Sequence, residues 1–371
     1  KTHPMKRLLV FVFIWVHFSI NCQQTIDGTI YHDGYHREYK LYIPASYNSN
    51  TAVPLVFSFH GLTSNANLNF LYTKFYEIAD TAGFILVHPQ GVLLQGIPHW
   101  NVGLSGFSNV DDIGFTVALL DTIISQYSID QSRVYTCGMS NGGYMSFLIG
   151  CQLSSRFTAL ASVTGSMSNS VYNQCNPTHP TPVLQIHGTM DPTVLYNGNF
   201  TSKPIEDVIQ YWSNYNNCNS TPITTSVPNL ISWDGSTVIH YEYGGGNNGS
   251  VVEHFKVING GHDWPGAWGN QDINASVEIW RFFSNYNLQN LISSSSNNAT
   301  NDILKVFPTV SYGEINVDYN ANSRYSIYNL NGVLIKKGEI YSGENKIDLK
   351  TINKGLYLIK VNNETEKFIL L

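Results

Sequence analysis

The segment Gly138-Met-Ser-Asn-Gly142 places a serine between two glycines, after the apolar run Arg133–Cys137 and before a stretch with helical spacing, Asn141–Leu153. A strand, a sharp turn and a helix in this order hold a serine hydroxyl outward for nucleophilic attack. Glycines suit the two flanking positions, because side chains there would collide with the neighbouring strand and helix. The pattern predicts Ser140 as a nucleophile; the alternative is a tight turn with a helix-capping serine.

A serine hydroxyl needs a base to take its proton and a carboxylate to orient that base. When the nucleophile comes first in the chain, the acid and then the histidine follow it. Asp191 follows the apolar run Val183–Ile186 and is the predicted acid, although Pro192 also allows a solvated turn aspartate. Of the histidines after Asp191, His240 and His254 alternate within apparent strands, whereas His262 lies in a glycine-flanked loop and is the predicted base.

The negative oxygen formed during acyl transfer requires two N–H donors aimed at it. The backbone N–H of Asn141, the residue after the nucleophile, is one predicted donor. The other is expected from the loop after an early strand, Phe59-His-Gly-Leu-Thr63, where we assign the N–H of Leu62. His60 is expected to brace this loop rather than to transfer protons.

The sequence lacks the motifs that other kinds of catalysis require. The sequence has no His-Glu-x-x-His, no Cys-x-x-Cys, no Walker lysine and no Gly-x-Gly-x-x-Gly after a strand, so we expect neither a metal nor a cofactor. The net charge of −6 leaves no basic stripe for phosphates, which argues against a nucleic-acid partner. Asp111 and Asp112 begin a helical segment and are expected to be structural.

The chain of 371 residues alternates short apolar runs with longer amphipathic segments. Continuous apolar runs are typical of strands buried on both faces of a parallel sheet, and the alternation favours an α/β fold. The predicted strands are Leu55–Phe59, Phe84–Val87, Val134–Cys137 and Val183–Ile186, and the predicted helices are Phe70–Thr81, Asp112–Tyr127, Asn141–Leu153 and Ile273–Tyr286.

Lys6 and Arg7 precede the apolar run Leu8–Ile20, a pattern typical of a secretory signal and too short to span a bilayer. We therefore expect a secreted protein without a transmembrane segment. Cys22 either precedes the cleavage point or is lipidated.

Export permits disulfides. The four cysteines after Cys22 could form two bridges in three different pairings. Cys137 lies in an apolar strand and is expected to be a buried thiol. Of the possible bridges, Cys151 to Cys175 is favoured.

A polar, low-complexity run, Ser293–Thr300, marks a domain boundary. From residue 23 to 301 the chain has 8 basic and 18 acidic residues, whereas residues 302–371 have 9 and 8. Strands with period-two alternation and turn signals follow the linker and predict a small β-sandwich, at Arg324–Tyr328, Gly332–Ile335, Ile347–Leu349, Leu356–Val361 and Phe368–Leu370.

Five motifs together resemble the secreted polyhydroxybutyrate depolymerase and feruloyl or acetylxylan esterase family. They are His60-Gly61, Val110–Phe115, Gly138–Gly143, His187–Pro192 and Gly260–Gly266. The resemblance covers roughly residues 29–285 and implies an α/β-hydrolase fold. It also implies Ser140, Asp191 and His262 as the triad, Leu62 and Asn141 at the oxyanion hole, and a bridge between Cys151 and Cys175. Members often pair the cysteine matching Cys218, but this chain lacks the second partner, so that thiol is expected to be free.

The resemblance implies a serine esterase that releases feruloyl or acetyl groups from plant polysaccharide through an acyl-enzyme. The alternatives are an extracellular polyester depolymerase and an inactive hydrolase fold that binds carbohydrate. Peptide hydrolysis is a further possibility, because the same triad serves peptidases. Trp100 and Trp264 are expected to line the substrate site.

The C-terminal segment resembles the sorting domain of the type IX secretion system, which implies an outer-membrane machinery as a partner and an extracellular or cell-surface location. The competing interpretation is a carbohydrate-binding module. The predicted organisation is a signal segment at 1–22, an esterase domain at 23–290, a linker at 291–301 and a sorting domain at 302–371.

Overall fold

A computed structural model describes residues 22–104, 108–292, 304–307, 310–311, 313–329, 333–362 and 364–370. The signal prediction, apart from Cys22, and most of the predicted linker lie outside these ranges. The chain divides into two compact units after residue 293. No helix among the described residues is long and apolar enough to cross a membrane.

The first unit contains one ten-stranded sheet and a short separate hairpin. Its strands are β1 (Gln24–His32), β2 (Tyr35–Ile43), β3 (Val53–Phe59), β4 (Ile85–Pro89), β5 (Leu93–Leu94), β6 (Ile97–Pro98), β7 (Ile129–Met139), β8 (Ala159–Val163), β9 (Val183–Gly188), β10 (Ile223–Ser226), β11 (Thr237–Tyr243) and β12 (Val252–Ile258). Strands β5 and β6 form the hairpin. All four strands predicted from apolar runs are present in the large sheet.

The order of strands in the large sheet is β1-β2-β4-β3-β7-β8-β9-β12-β11-β10. The six central strands, β4 to β12 in this order, run parallel. Antiparallel strands flank them on both sides: β1 and β2 at one edge, β11 and β10 at the other. The loops that follow β3, β7, β9 and β12 therefore emerge at the same edge of the sheet.

Eight α-helices belong to the described part of this unit. They are α1 (Ala66–Thr73), α2 (Phe75–Ala82), α3 (Asp112–Gln126), α4 (Asn141–Gln152), α5 (Asn169–Gln174), α6 (Ile205–Tyr215), α7 (Ala275–Phe283) and α8 (Leu288–Ile292). The predicted helix Phe70–Thr81 is two helices, because Lys74 has a left-handed backbone (φ 49°) that ends one and begins the next. Asp111 caps α3 through Gly114 N–H, as its structural interpretation requires.

Helices cover both faces of the sheet, and each face has its own hydrophobic core. Along β3, Leu55, Phe57 and Phe59 face the core that contains α3, α4 and α6. Val56 faces the opposite core, with α2 and α7. This burial on both faces explains why the sequence of the strand is a continuous apolar run. It also confirms the predicted α/β class.

Cys151, at the end of α4, and Cys175, after α5, form the favoured disulfide, with Cα atoms 4.8 Å apart. Cys137 is a buried free thiol, and Cys218 is free and partly buried.

The second unit contains two small sheets around one hydrophobic core. Its strands are β13 (Lys305–Phe307), β14 (Val310–Ser311), β15 (Glu314–Tyr319), β16 (Ser323–Asn329), β17 (Leu334–Ile340), β18 (Gly343–Asp348), β19 (Gly355–Val361) and β20 (Glu364–Leu370). One sheet is β13-β15-β18 and the other β14-β20-β19-β16-β17. Each of the five strands predicted after the linker overlaps one of these.

Candidate active site

Ser140 lies at the turn between β7 and α4. Its backbone angles, φ 53° and ψ −118°, fall in a region that residues with a side chain rarely occupy. The N–H of Ser140 donates to the carbonyl of Val163 at the end of β8 (2.8 Å), which holds the turn against the neighbouring strand. Backbone strain of this kind occurs at functional sites, where it holds a side chain in an orientation that a relaxed turn would not provide.

Gly138 and Gly142 are required by close backbone approach. A Cβ on Gly138 would overlap the carbonyl of Gly142, and a Cβ on Gly142 would overlap the carbonyl of Phe59 on β3. Neither obstacle is a flexible side chain that could move aside. The two glycines therefore have the steric role expected from the pentapeptide.

Asp191 follows β9 in a tight turn, and its side chain is fully buried. Its Oδ1 accepts the N–H groups of Thr193 (2.8 Å) and Val194 (2.9 Å), whereas its Oδ2 accepts from Nδ1 of His262 (2.8 Å). Burial alone would raise the pKa of this carboxyl, but the hydrogen bonds and charges around it, from His262 above all, lower the pKa below its usual value. Asp191 is therefore ionised at neutral pH.

His262 lies in the loop after β12, and its side chain is one fifth exposed. The N–H of Met190 donates to Gly260 O (2.9 Å), and the N–H of Asn259 donates to Thr189 Oγ1 (2.9 Å). These bonds tie the loop of the predicted base to the loop of the predicted acid. Because Nδ1 of His262 donates to Asp191, Nε2 of the neutral ring is the nitrogen that can accept a proton.

The structure thus brings Asp191 and His262 into contact across 71 positions of sequence. Ser140 lies at the same edge of the sheet, after β7, but among the described residues no hydrogen bond joins its hydroxyl to the His262 ring. A nucleophile and base can be farther apart without substrate and closer in the reacting complex.

The predicted oxyanion donors flank Ser140. Asn141 is the first residue of α4, so its N–H has no acceptor within the helix. The N–H of Leu62 likewise has no acceptor among the described residues. The loop carrying Leu62 passes against the nucleophile, since a Cβ placed on Gly61 would lie 3.4 Å from Ser140 Cβ.

Trp100 braces the loop that carries Leu62, the predicted oxyanion donor. Its Nε1 donates to His60 O (2.9 Å), and its backbone forms two hydrogen bonds with the Asn141 side chain, at 2.7 and 3.1 Å. The His60 ring contacts Gly61 O and accepts from Gly91 N–H, and burial lowers its pKa to about 4. His60 thus supports the loop, in the role expected for it.

The expectation that Trp100 and Trp264 line the substrate site is not met, because both side chains are fully buried. Trp264 Nε1 donates to Ser276 Oγ (3.1 Å), and its ring packs edge-on against Tyr72 and Phe75. A buried indole offers no surface to a substrate, so both residues act as scaffold.

His187 is a residue of the site that sequence reasoning missed. Its Nε2 donates to Val194 O (2.8 Å) and lies 3.4 Å from Asp191 Oδ2, so two imidazoles face one carboxylate. Gln185 donates to Nδ1 of the same ring (3.0 Å), and burial lowers the pKa of His187 to about 4. The neutral ring supports the acid loop. The spacing of four residues between His187 and Asp191 at a strand end was the available signal.

No group of three or more histidine, cysteine, aspartate or glutamate side chains among the described residues is arranged to hold a metal ion.

A mostly parallel sheet covered on both faces, with a strained serine between a strand and a helix, is the architecture of an α/β hydrolase. Residues 37–196 match the family described as Esterase PHB depolymerase, and residues 305–370 match the secretion system C-terminal sorting domain. These matches confirm the resemblances drawn from the motifs. The sorting domain marks the chain as exported, to an extracellular or cell-surface location.

Two curated relatives are similar to parts of this chain. The chain is 26% identical over 279 residues to a bifunctional acetylxylan esterase/xylanase of Neocallimastix patriciarum, covering 75% of this chain and 37% of that protein. It is 28% identical over 190 residues to feruloyl esterase B of Piromyces equi, covering 48% of this chain and 35% of that protein. The chain therefore spans little more than a third of the length of either relative.

The acetyl xylan esterase of Aspergillus awamori has a similar structure, with a TM-score of 0.52 over 71% of this chain and 99% of that one, at 17% identity. This likeness confirms the α/β-hydrolase fold.

Proposed function

We propose that the chain is a secreted serine esterase that removes feruloyl or acetyl groups from plant polysaccharide. The hydrogen bond between buried Asp191 and His262, at the sheet edge where the strained Ser140 lies, carries this proposal. The named activities of the relatives, feruloyl esterase and acetylxylan esterase, support the choice of ester.

In the proposed mechanism, Ser140 Oγ attacks the ester carbonyl carbon while Nε2 of His262 takes the hydroxyl proton. Asp191 holds the imidazole in orientation and stabilises its positive charge. The N–H groups of Leu62 and Asn141 receive the developing oxyanion, each worth about 3 kcal/mol of barrier in enzymes of this kind.

Collapse of the tetrahedral intermediate breaks the bond between the carbonyl carbon and the sugar oxygen, and His262 returns its proton to that oxygen. The acyl group remains on Ser140. A water molecule, deprotonated by His262, then attacks the acyl carbon. The bond from that carbon to Ser140 Oγ breaks, His262 returns its proton to Oγ, and the carboxylic acid is released. The cycle needs no cofactor.

We further propose that the first unit is an esterase domain at 23–290, joined by a linker at 291–301 to a sorting domain at 302–371. The match to a secretion sorting domain supports recognition of this segment by the type IX secretion machinery.

A second candidate is depolymerisation of an extracellular polyester. Two exposed apolar side chains favour it, because they offer surface to an apolar polymer: Leu62, in the loop of the proposed oxyanion donor, and Met190, next to the proposed acid. The family description of residues 37–196 agrees equally with this candidate.

Assays of methyl ferulate, acetylated xylan, polyhydroxybutyrate and a peptide, side by side, test the proposal. We expect turnover of one or both of the first two, and loss of that turnover in Ser140→Ala. Ser125→Ala, on the exposed face of α3, is the matched control and should keep wild-type rates. Hydrolysis of polyhydroxybutyrate alone would select the second candidate. Undiminished activity of Ser140→Ala would refute both, and binding to xylan without any turnover would indicate an inactive carbohydrate-binding protein.

A further inference from the structure

Two tryptophans of the first unit are exposed, unlike the buried Trp100 and Trp264. Trp233 is 81% exposed and Trp268 is 38% exposed, and Leu230 near Trp233 is 74% exposed. Large apolar side chains grouped at a surface mark sites of interaction more often than isolated ones do. We call Leu230, Trp233 and Trp268 the tryptophan platform.

The two loops that carry the platform are held together by hydrogen bonds. Asp272 Oδ1 accepts the N–H groups of Leu230 (2.7 Å) and Ile231 (3.1 Å). Asp234 Oδ2 accepts the N–H of Gln271 (2.9 Å), and Asn270 Nδ2 donates to Ser236 Oγ (2.8 Å). Trp233 lies in the short 3-10 helix Ser232–Asp234, next to one of these contacts. The two loops that carry the indoles are therefore held in a fixed relation to each other, which lowers the entropy lost on binding.

The platform also adjoins the proposed catalytic loop. Trp268 follows His262 by six positions, and its N–H donates to Trp264 O (3.2 Å). Its ring packs edge-on against Tyr72, with ring centroids 5.0 Å apart. A polymer lying on the platform would thus be near the edge of the sheet that carries Ser140.

The charges around the platform select the kind of ligand. Residues 226–236 and 264–274 contain no lysine, arginine or histidine. Their aspartates, Asp234 and Asp272, accept backbone N–H groups instead of facing a ligand cation. Nucleic acids and anionic headgroups require positive charge, which these segments lack. Exposed indole rings on segments without basic residues suit the flat C–H faces of neutral pyranose rings.

We propose that the tryptophan platform is a surface subsite for the neutral pyranose backbone of an ester-bearing polysaccharide. This inference rests on the proposed function, since it names how the polymeric substrate is held. Stacking on the platform retains the polymer near Ser140, while the ester itself enters the catalytic site.

Affinity electrophoresis through gels containing deacetylated xylan tests the platform without catalysis. The proteins are Ser140→Ala and the same chain with Trp233→Ala and Trp268→Ala added. We expect xylan to retard the first, and the apparent dissociation constant of the second to be at least 5-fold higher. Tyr31→Ala is the matched control, because Tyr31 is 69% exposed on β1 at the far edge of the sheet and should not change the retardation.

Equal retardation with and without the two tryptophans would overturn the inference, as would the absence of retardation of Ser140→Ala. Loss of binding to polyhydroxybutyrate films, but not to xylan, would also overturn it in favour of a polyester surface. Because the ligand carries no ester and Ser140 is absent, failure of the esterase proposal does not affect this result. Trp233→Ala alone guards against misfolding, since replacing an exposed side chain leaves the stability of the fold almost unchanged.

Discussion

The side-chain amide of Asn141 forms two hydrogen bonds with the main chain of Trp100, 41 positions earlier. Its Oδ1 accepts the Trp100 N–H (2.7 Å) and its Nδ2 donates to the Trp100 carbonyl (3.1 Å). Trp100 in turn donates from its indole to His60 O, next to the loop of Leu62. The two proposed oxyanion donors, on different elements, are thus connected through one buried tryptophan.

Replacing Asn141 by alanine keeps its backbone N–H but breaks this connection. We expect kcat to fall about 10-fold or more with a smaller change in KM, because displaced donors stabilise the transition state less. Asn141→Asp retains the bond from Trp100 N–H and should lose less activity. Steady-state kinetics on 4-nitrophenyl acetate, with circular dichroism to verify folding, provides the measurement.

The matched control is Asn65→Ala, which removes the side-chain cap of α1. It should lower the free energy of unfolding by about 1 kcal/mol while kcat stays at the wild-type value. A kcat for Asn141→Ala equal to that of this control would contradict the proposed role.

Asp191→Asn tests the orientation of the base. An amide in place of the carboxylate cannot stabilise the imidazolium and favours the wrong tautomer of His262. From other triads we expect kcat to fall about 10³- to 10⁴-fold with KM little changed. Stopped assays with the purified variant would measure this, and a loss below 10-fold would show that Asp191 is not the catalytic acid.

The pairing of Asp191 with His262 could be predicted from the order and local context of the motifs, because a loop at the end of a buried strand can be recognised from apolar runs. The turn at Ser140 was predictable for the same reason. These features depend on short segments and on the fixed order of parallel strands.

The burial of Trp100 and Trp264 was not predictable, because the exposure of an aromatic in a loop depends on distant packing partners. Tyr72 and Phe75, which cover Trp264, belong to helices far away in sequence. The break at Lys74 was missed because a left-handed lysine has no local signal comparable to glycine. The antiparallel edge strands β1 and β10 were missed because their residues are largely exposed and their apolar runs are short.

The buried carboxylate of Glu253 is expected to contribute to the loss of native-state stability at acid pH. Burial raises its pKa, but His240 (2.8 Å) and Arg281 bind the carboxylate and lower the pKa from 4.5 to about 2. Between these values the unfolded chain binds the proton and the native chain does not, so stability falls as pH decreases through this window. The loss should be about 3 kcal/mol at 1.4 kcal/mol per pH unit.

Urea unfolding at pH values from 7 to 2 measures this component. In Glu253→Gln, the decline below pH 4.5 should be shallower than in the wild type by about the stated amount. Glu77→Gln removes an exposed carboxylate on α2 and is the control for a general charge effect. Parallel curves for wild type and Glu253→Gln would exclude the role assigned to Glu253.

The Cys151–Cys175 bridge closes a loop with a sequence separation of 24. In the chain-entropy model a loop of this size stabilises the native state by about 3 kcal/mol. We expect the double variant Cys151→Ala/Cys175→Ala to lose that amount in urea unfolding, and Cys218→Ser, which removes a free thiol, to lose about 1 kcal/mol or less. A double variant as stable as the single one would refute the assigned contribution.

Covalent labelling with a fluorophosphonate tests whether Ser140 is the activated nucleophile, because such reagents react with a serine only when a base activates its hydroxyl. Intact mass and peptide mapping should locate one adduct on Ser140, with labelling abolished in Ser140→Ala and strongly slowed in His262→Ala. An adduct on another residue, or an active protein that resists labelling, would contradict the assignment of Ser140 as the nucleophile.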